Sequence, residues 1–245
     1  MKKKLNIYFT AGCPSLNSTM DTLKIIQNAG ADMVELGMPY SDPVADGPVI
    51  EKAHQKALEN GMTIANLFDQ LKNLKNEIHI PVILMGYINP VLSFGFERFC
   101  QLCQEVGITG LIIPDLPPYE FEQKYQALLA QYGLNFTFLV TPETSVERIH
   151  YLDGLSSGFL YAVSSSSTTG NAQKQVTNEA YLEKLSQLEL KNPLMIGFGI
   201  KNKQDFDSVS RYADGAIVGT AFVNILLENS QDWPQKASDF VKSFA

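Results

Sequence analysis

The stretch Asp32-Met33-Val34-Glu35-Leu36-Gly37-Met38-Pro39-Tyr40-Ser41-Asp42-Pro43-Val44-Ala45-Asp46-Gly47-Pro48 joins a short apolar run to a loop dense in Pro, Gly, Asp and Ser. Those residue types favour turns, so the segment reads as a strand running into a long loop. Seven more short apolar or β-branched runs, at 5–10, 81–85, 110–113, 135–139, 158–163, 194–197 and 215–218, join the one at 32–36. Between them lie stretches such as 19–29, 120–132, 179–188 and 205–212, with apolar residues at helical spacing. Eight strand-helix pairs in 245 residues give about 31 residues per unit, the rhythm of a parallel α/β sheet. A closed (β/α)₈ TIM barrel satisfies all eight strands, and no linker or shift in composition divides the chain, so 1–245 reads as one domain. An open dinucleotide-binding sheet would need G-x-G-x-x-G after its first strand. Here that place holds Ala11-Gly12-Cys13-Pro14-Ser15, and the one G-x-G, Gly197-Phe198-Gly199, comes late, with Asn202 where the third glycine belongs.

Composition narrows the function classes. A net charge of −7, with Lys2 to Lys4 as the only basic run, disfavours nucleic acid. No apolar stretch reaches the about 18 residues of a membrane span, and 5–10 is too short for a signal peptide, so a soluble cytoplasmic protein is expected. Three cysteines are too few for a disulfide framework. Cys100 and Cys103 fall at helical spacing with Phe96, Phe99 and Val106, which places both thiols on a buried stripe. His54, His79 and His150 are scattered, and no metal site is expected.

In a barrel, the loops after the strands build the active site. Period-two alternation puts Met33 and Glu35 on one strand face and Val34 and Leu36 on the other, so Glu35 points into the barrel near its mouth. Burial there raises a carboxyl pKa toward the range of a general acid/base, although an ion pair to a core Arg or Lys fits the same pattern. Asp42 and Asp46, before Pro and Gly, read first as turn residues. Gly199, Gly219-Thr220 and Thr169-Gly170 follow the late strands, where barrels commonly grip phosphate on backbone N–H groups. The polar run 164–175 reads as a lid or as an ordinary loop. Tyr8, Tyr87 and Tyr161 suit the walls of a flat apolar ligand as well as barrel packing.

Taken together, Glu35-Leu36-Gly37, Ser41-Asp42-Pro43, Ala45-Asp46-Gly47-Pro48, Gly86-Tyr87-Ile88-Asn89-Pro90, Ile113-Pro114-Asp115-Leu116-Pro117, Gly197-Phe198-Gly199-Ile200 and Asp214-Gly215-Ala216-Ile217-Val218-Gly219-Thr220 resemble the tryptophan synthase alpha chains. The resemblance covers all eight units in order. It implies a lyase that cleaves indole-3-glycerol phosphate to indole and glyceraldehyde 3-phosphate, with Glu35 and Asp46 as catalytic carboxylates. Tyr161 would flank the reacting centre, and Tyr8, Ile50, Tyr87 and Phe198 would enclose the indole. Thr169, Gly170, Gly199, Gly219 and Thr220 would hold the phosphate. It implies no cofactor in this chain and a beta subunit carrying pyridoxal phosphate as partner in an α2β2 tetramer, with Pro39, Asp42, Asn89 and Pro117 at the contact. A stand-alone lyase, or a weakly catalytic subunit that mainly activates its partner, are the alternatives.

The strand at 158–163 holds no lysine for a Schiff base, consistent with a reaction whose electron sink is the indole itself. Two departures stand out. The family's helix before the first strand is missing from the pattern, which puts the seal of the barrel's lower end in question. The lid carries Ser165-Ser166-Ser167-Thr168-Thr169-Gly170 in place of the family's Gly-Val-Thr-Gly core, which bears on closure and on coupling to the partner.

Overall fold

The structure is a computed structural model and describes residues 2–163, 179–197 and 199–244. Its strands are β1 (Lys4–Thr10), β2 (Met33–Gly37), β3 (Val82–Met85), β4 (Gly110–Ile112), β5 in two pieces (Asn135–Phe136 and Leu139–Val140), β6 (Leu160–Val163), β7 (Leu194–Gly197) and β8 (Gly215–Val218). All pair in parallel with their neighbours, and β1 lies between β2 and β8. The two ends of the sheet are the two pieces of β5: the first pairs with β4 and the second with β6. The sheet therefore closes on itself as the expected (β/α)₈ barrel.

The interruption in β5 has a local cause. Phe136 N–H donates to Ser157 Oγ at 2.9 Å and Phe138 N–H to Ser156 Oγ at 3.1 Å, so two side-chain hydroxyls replace ladder carbonyls. Closure continues across the gap through Thr137 N–H to the Leu111 carbonyl (3.1 Å) and Tyr161 N–H to the Phe138 carbonyl (3.0 Å).

Alternation decides what faces inward. On β1, Ile7 and Phe9 lie fully buried on one face and Asn6, Tyr8 and Thr10 on the other. Asn6 bonds to Glu35 on β2, so that second face lines the barrel with Glu35, as the period-two reading of 32–36 requires. The helix Pro48–Glu59 begins with Gly47 extended at its N-cap and Pro at its first position, where the missing N–H costs nothing. The stretch 120–132 is less regular than its spacing suggests: Pro118–Glu120 leads into a π-helical turn, Phe121–Tyr125, before Gln126–Gln131. Cys100 and Cys103 lie fully buried on the helix Phe96–Val106, beside Phe96, Phe99 and Val106. Burial, helped by the nearby Glu97, pushes the Cys100 thiol up to about 12, so it stays protonated and unreactive.

Carboxylates stitch the N-terminal ends of the strands. Asp32 Oδ2 accepts from Leu5 N–H (2.9 Å) while its Oδ1 takes Lys2 Nζ (2.7 Å). Asp214 Oδ2 accepts from Leu194 N–H (2.8 Å), and Lys4 N–H donates to the Asp214 carbonyl (2.9 Å). Lys3 Nζ adds a bond to the Ala213 carbonyl (2.6 Å). These contacts pair backbone N–H groups at the barrel floor, each of which would otherwise cost about 1–3 kcal/mol if buried unpaired.

Candidate active site

Glu35 is fully buried on β2. Its Oε1 accepts from Asn6 Nδ2 at 2.6 Å, and its Oε2 has no partner among the described residues. No Arg or Lys approaches it among the described ion pairs, so the ion-pair alternative gives way to a neutral amide partner. Burial raises the Glu35 pKa to about 8, partly opposed by the Asn6 bond, which favours the charged form. The carboxyl is thus protonated at neutral pH yet close enough to its pKa to exchange the proton.

Asp46 lies in the loop after β2, just before the helix Pro48–Glu59, with its side chain 11% exposed. Its Oδ2 accepts from Tyr87 Oη at 2.7 Å, and Tyr87 Oη in turn accepts from Ala45 N–H at 3.0 Å. Tyr87 follows β3, so this pair pins the loop of one unit to the start of the next. Burial, together with the bond to Asp46, keeps the Tyr87 phenol protonated by raising its pKa. Tyr40 packs against Tyr87 with ring centroids 5.4 Å apart.

Two more tyrosines reach the carboxylates from the barrel wall. Tyr8 is buried, with its hydroxyl 3.4 Å from both Thr10 Oγ1 and His54 Nε2. Partly buried Tyr161 has its pKa raised well above the ordinary value, by burial first and then by Glu35, Asp46 and Tyr8, which places it within electrostatic reach of both acids. Each ring lies over a strand glycine. A Cβ on Gly37 would sit 2.3 Å from Tyr8 Oη, and one on Gly197 would sit 2.3 Å from Tyr161 Oη. Glycine in these strands is what admits the rings.

Ile50 is buried on the helix Pro48–Glu59. Gly199 adopts φ +74°, a left-handed conformation that favours glycine. Gly219 caps the N-terminus of the helix Thr220–Glu228, and a Cβ there would meet Tyr8 Cβ at 3.5 Å, so this end of the helix adjoins the aromatic wall. Phe198, Thr169, Gly170 and the whole run 164–175 lie outside the described residues. Pro39 and Asp42 sit on the loop after β2, Asn89 in the first turn of the helix Ile88–Phe94 after β3, and Pro117 on the loop after β4; Asp42, Asn89 and Pro117 are exposed, as are Val44, Leu92 and Tyr119.

Two polar residues of the site escaped the reading of the sequence. Asn6 left a signal, a lone amide in an apolar strand on the same face as Tyr8. His54 left none, because its place depends on how the loop folds back onto the helix.

The family model described as "Tryptophan synthase alpha chain" matches residues 1–244. The chain belongs to the tryptophan synthase alpha chain family. It is 50% identical over 228 residues to the tryptophan synthase alpha chain of Christiangramia forsetii, covering 93% of this chain and 89% of that one. The Flavobacterium johnsoniae alpha chain is 49% identical over 242 residues, 98% and 94% of the two chains. Among solved structures, tryptophan synthase subunit alpha from Legionella pneumophila superposes with a TM-score of 0.88 at 35% identity, covering 99% of this chain and 91% of that one. Alpha chains of tryptophan synthase are carbon-carbon lyases of tryptophan biosynthesis that cleave indole-3-glycerol phosphate to indole and glyceraldehyde 3-phosphate, and they pair with beta chains. This chain has that activity and that partner. Among the described residues no helix is long and apolar enough to cross a membrane.

Proposed function

We propose that Glu35 and Asp46 carry the cleavage between them. Protonated Glu35 gives its proton to C3 of the indole ring, and positive charge develops on the ring nitrogen. The Asp46 carboxylate accepts a hydrogen bond from that N–H and stabilises the charge. The Glu35 carboxylate then takes the proton of the hydroxyl on the carbon attached to C3. The C–C bond breaks, its electrons return to the indole ring, and the oxygen becomes the aldehyde carbonyl. Glu35 ends protonated, ready for the next cycle.

One observation supports this reading above the others: a fully buried carboxyl, with a neutral amide on one oxygen and no partner on the second among the described residues, has its pKa raised to about 8. Tyr8, Ile50, Tyr87, Tyr161 and Phe198 would enclose the indole, while Thr169, Gly170, Gly199, Gly219 and Thr220 hold the phosphate. Pro39, Asp42, Asn89 and Pro117 would meet the beta subunit of an α2β2 tetramer. Pyridoxal phosphate belongs to that partner, and this chain needs no cofactor of its own. Residues 1–245 act in the cytoplasm as one domain, and the single sheet that carries every described strand supports the undivided domain.

The test is indole release from indole-3-glycerol phosphate by purified protein, alone and with a beta subunit, for wild type and Glu35→Gln. The variant should lose at least ~10²-fold in rate, the contribution of a positioned acid/base. Cleavage that survives the substitution removes Glu35 from the chemistry.

A further inference from the structure

We propose that His54 is a positioning residue for the cleavage, orienting the Asp46 carboxylate through Nε2–H; the inference rests on the role given above to Asp46. His54 sits on the helix Pro48–Glu59 with its side chain 2% exposed. Its Nδ1 accepts from the Tyr40 backbone N–H at 3.0 Å. A backbone N–H can only donate, so Nδ1 carries no proton, and the neutral ring holds its proton on Nε2. That Nε2–H faces two groups, Asp46 Oδ2 at 3.5 Å and Tyr8 Oη at 3.4 Å.

Asp46 Oδ2 already accepts the Tyr87 hydroxyl at 2.7 Å. The Tyr87 hydroxyl, from the unit of β3, and the His54 Nε2–H, from the helix after β2, therefore converge on the same oxygen, the first as a hydrogen bond and the second as a longer electrostatic contact shared with Tyr8 Oη. Among the described residues no hydrogen bond reaches Asp46 Oδ1, which is left to receive the indole N–H. The amide of Tyr40 thus sets the tautomer at one side of the ring, and the tautomer sets the carboxylate at the other. At 3.5 Å the His54–Asp46 contact is longer than an ordinary hydrogen bond, so it acts on the carboxylate mainly as an electrostatic contact.

Two amide substitutions separate the nitrogens of the ring. Asparagine presents its amide where Nδ1 stands, keeping a partner for Tyr40 and giving up the donor to Asp46. Glutamine presents its amide where Nε2 stands, keeping that donor and giving up the tie to Tyr40. The experiment measures kcat and KM for indole release by His54→Asn, His54→Gln and Asp46→Ala in the full chain with a beta subunit, with urea denaturation to confirm that each is folded.

His54→Asn should lose about tenfold in kcat with KM changed by less than about threefold, since the lost interaction acts in the transition state. His54→Gln should stay within about threefold of wild type in kcat. Equal kcat in the two variants, whether both high or both low, overturns the proposal, because it makes the ring a packing element. An Asp46→Ala enzyme as fast as wild type would instead overturn the role of Asp46, and this inference with it.

Discussion

Replacing Glu35 by Gln should make the stability of the protein less sensitive to pH, by an amount the site itself fixes. In the unfolded chain this carboxyl titrates near 4.5 and in the fold near 8. Below the lower value both states hold the proton and the native state bears no penalty. Between the two, the unfolded chain releases a proton that the native chain keeps, so stability falls as pH rises, and the loss is complete once the pH has passed the folded value. Each unit of difference is worth about 1.4 kcal/mol, so the full penalty is about 5 kcal/mol, of which about 3.5 kcal/mol accrues between pH 5 and pH 8. Glutamine keeps the acceptor for Asn6 and does not titrate. Its buried –NH₂ group adds a cost that is the same at every pH. The assay is urea denaturation of both proteins across that range, in which all other titrating groups cancel. The unfolding free energy of the variant relative to wild type should rise by about 3.5 kcal/mol from pH 5 to pH 8. A difference that stays constant refutes the reasoning, because the Glu35 carboxyl would then titrate alike in both states.

Asn6→Leu removes the one donor to the Glu35 carboxylate among the described residues, which favours the protonated form, so the alkaline limb of kcat/KM should move about one unit or more above its wild-type position near pH 8. A pH profile of indole release that is unmoved, or moved downward, would show that the Asn6 bond does not tune this acid. Gly197→Ala puts a methyl where the Tyr161 ring lies, so the ring must swing away: kcat should fall at least about tenfold while unfolding free energy drops by roughly 1–3 kcal/mol. Unchanged turnover in a folded variant would mean that the placement of Tyr161 is irrelevant to cleavage.

The rhythm of the fold could be read in the sequence because barrel strands are short, apolar and evenly spaced, and the runs at 5–10, 194–197 and 215–218 coincide with strands almost residue for residue. The run at 135–139 could not reveal its own interruption, because the hydroxyls that break the ladder belong to Ser156 and Ser157, some twenty residues further along. The inward aim of Glu35 followed from alternation alone. What satisfies it did not, since a buried acid can be met by a cation or by an amide, and only the register of β1 against β2 brings Asn6 to it. Asp46 read locally as a turn residue, and its partner Tyr87 lies 41 positions away. His54 was one histidine among three with no pattern, because its meaning depends on a loop that returns to the helix it precedes.

The carboxylates of this barrel sort by end. At the floor, Asp32 and Asp214 meet backbone N–H groups at the starts of neighbouring strands and are consumed in structure. Toward the mouth, Glu35 meets, among the described residues, only the side chain of Asn6 on one oxygen, and the other is left with its chemistry intact. Loops above can therefore change length or sequence without loosening the closure below. The same functional group is mortar at one end of the barrel and reagent at the other, according to whether a backbone N–H waits for it.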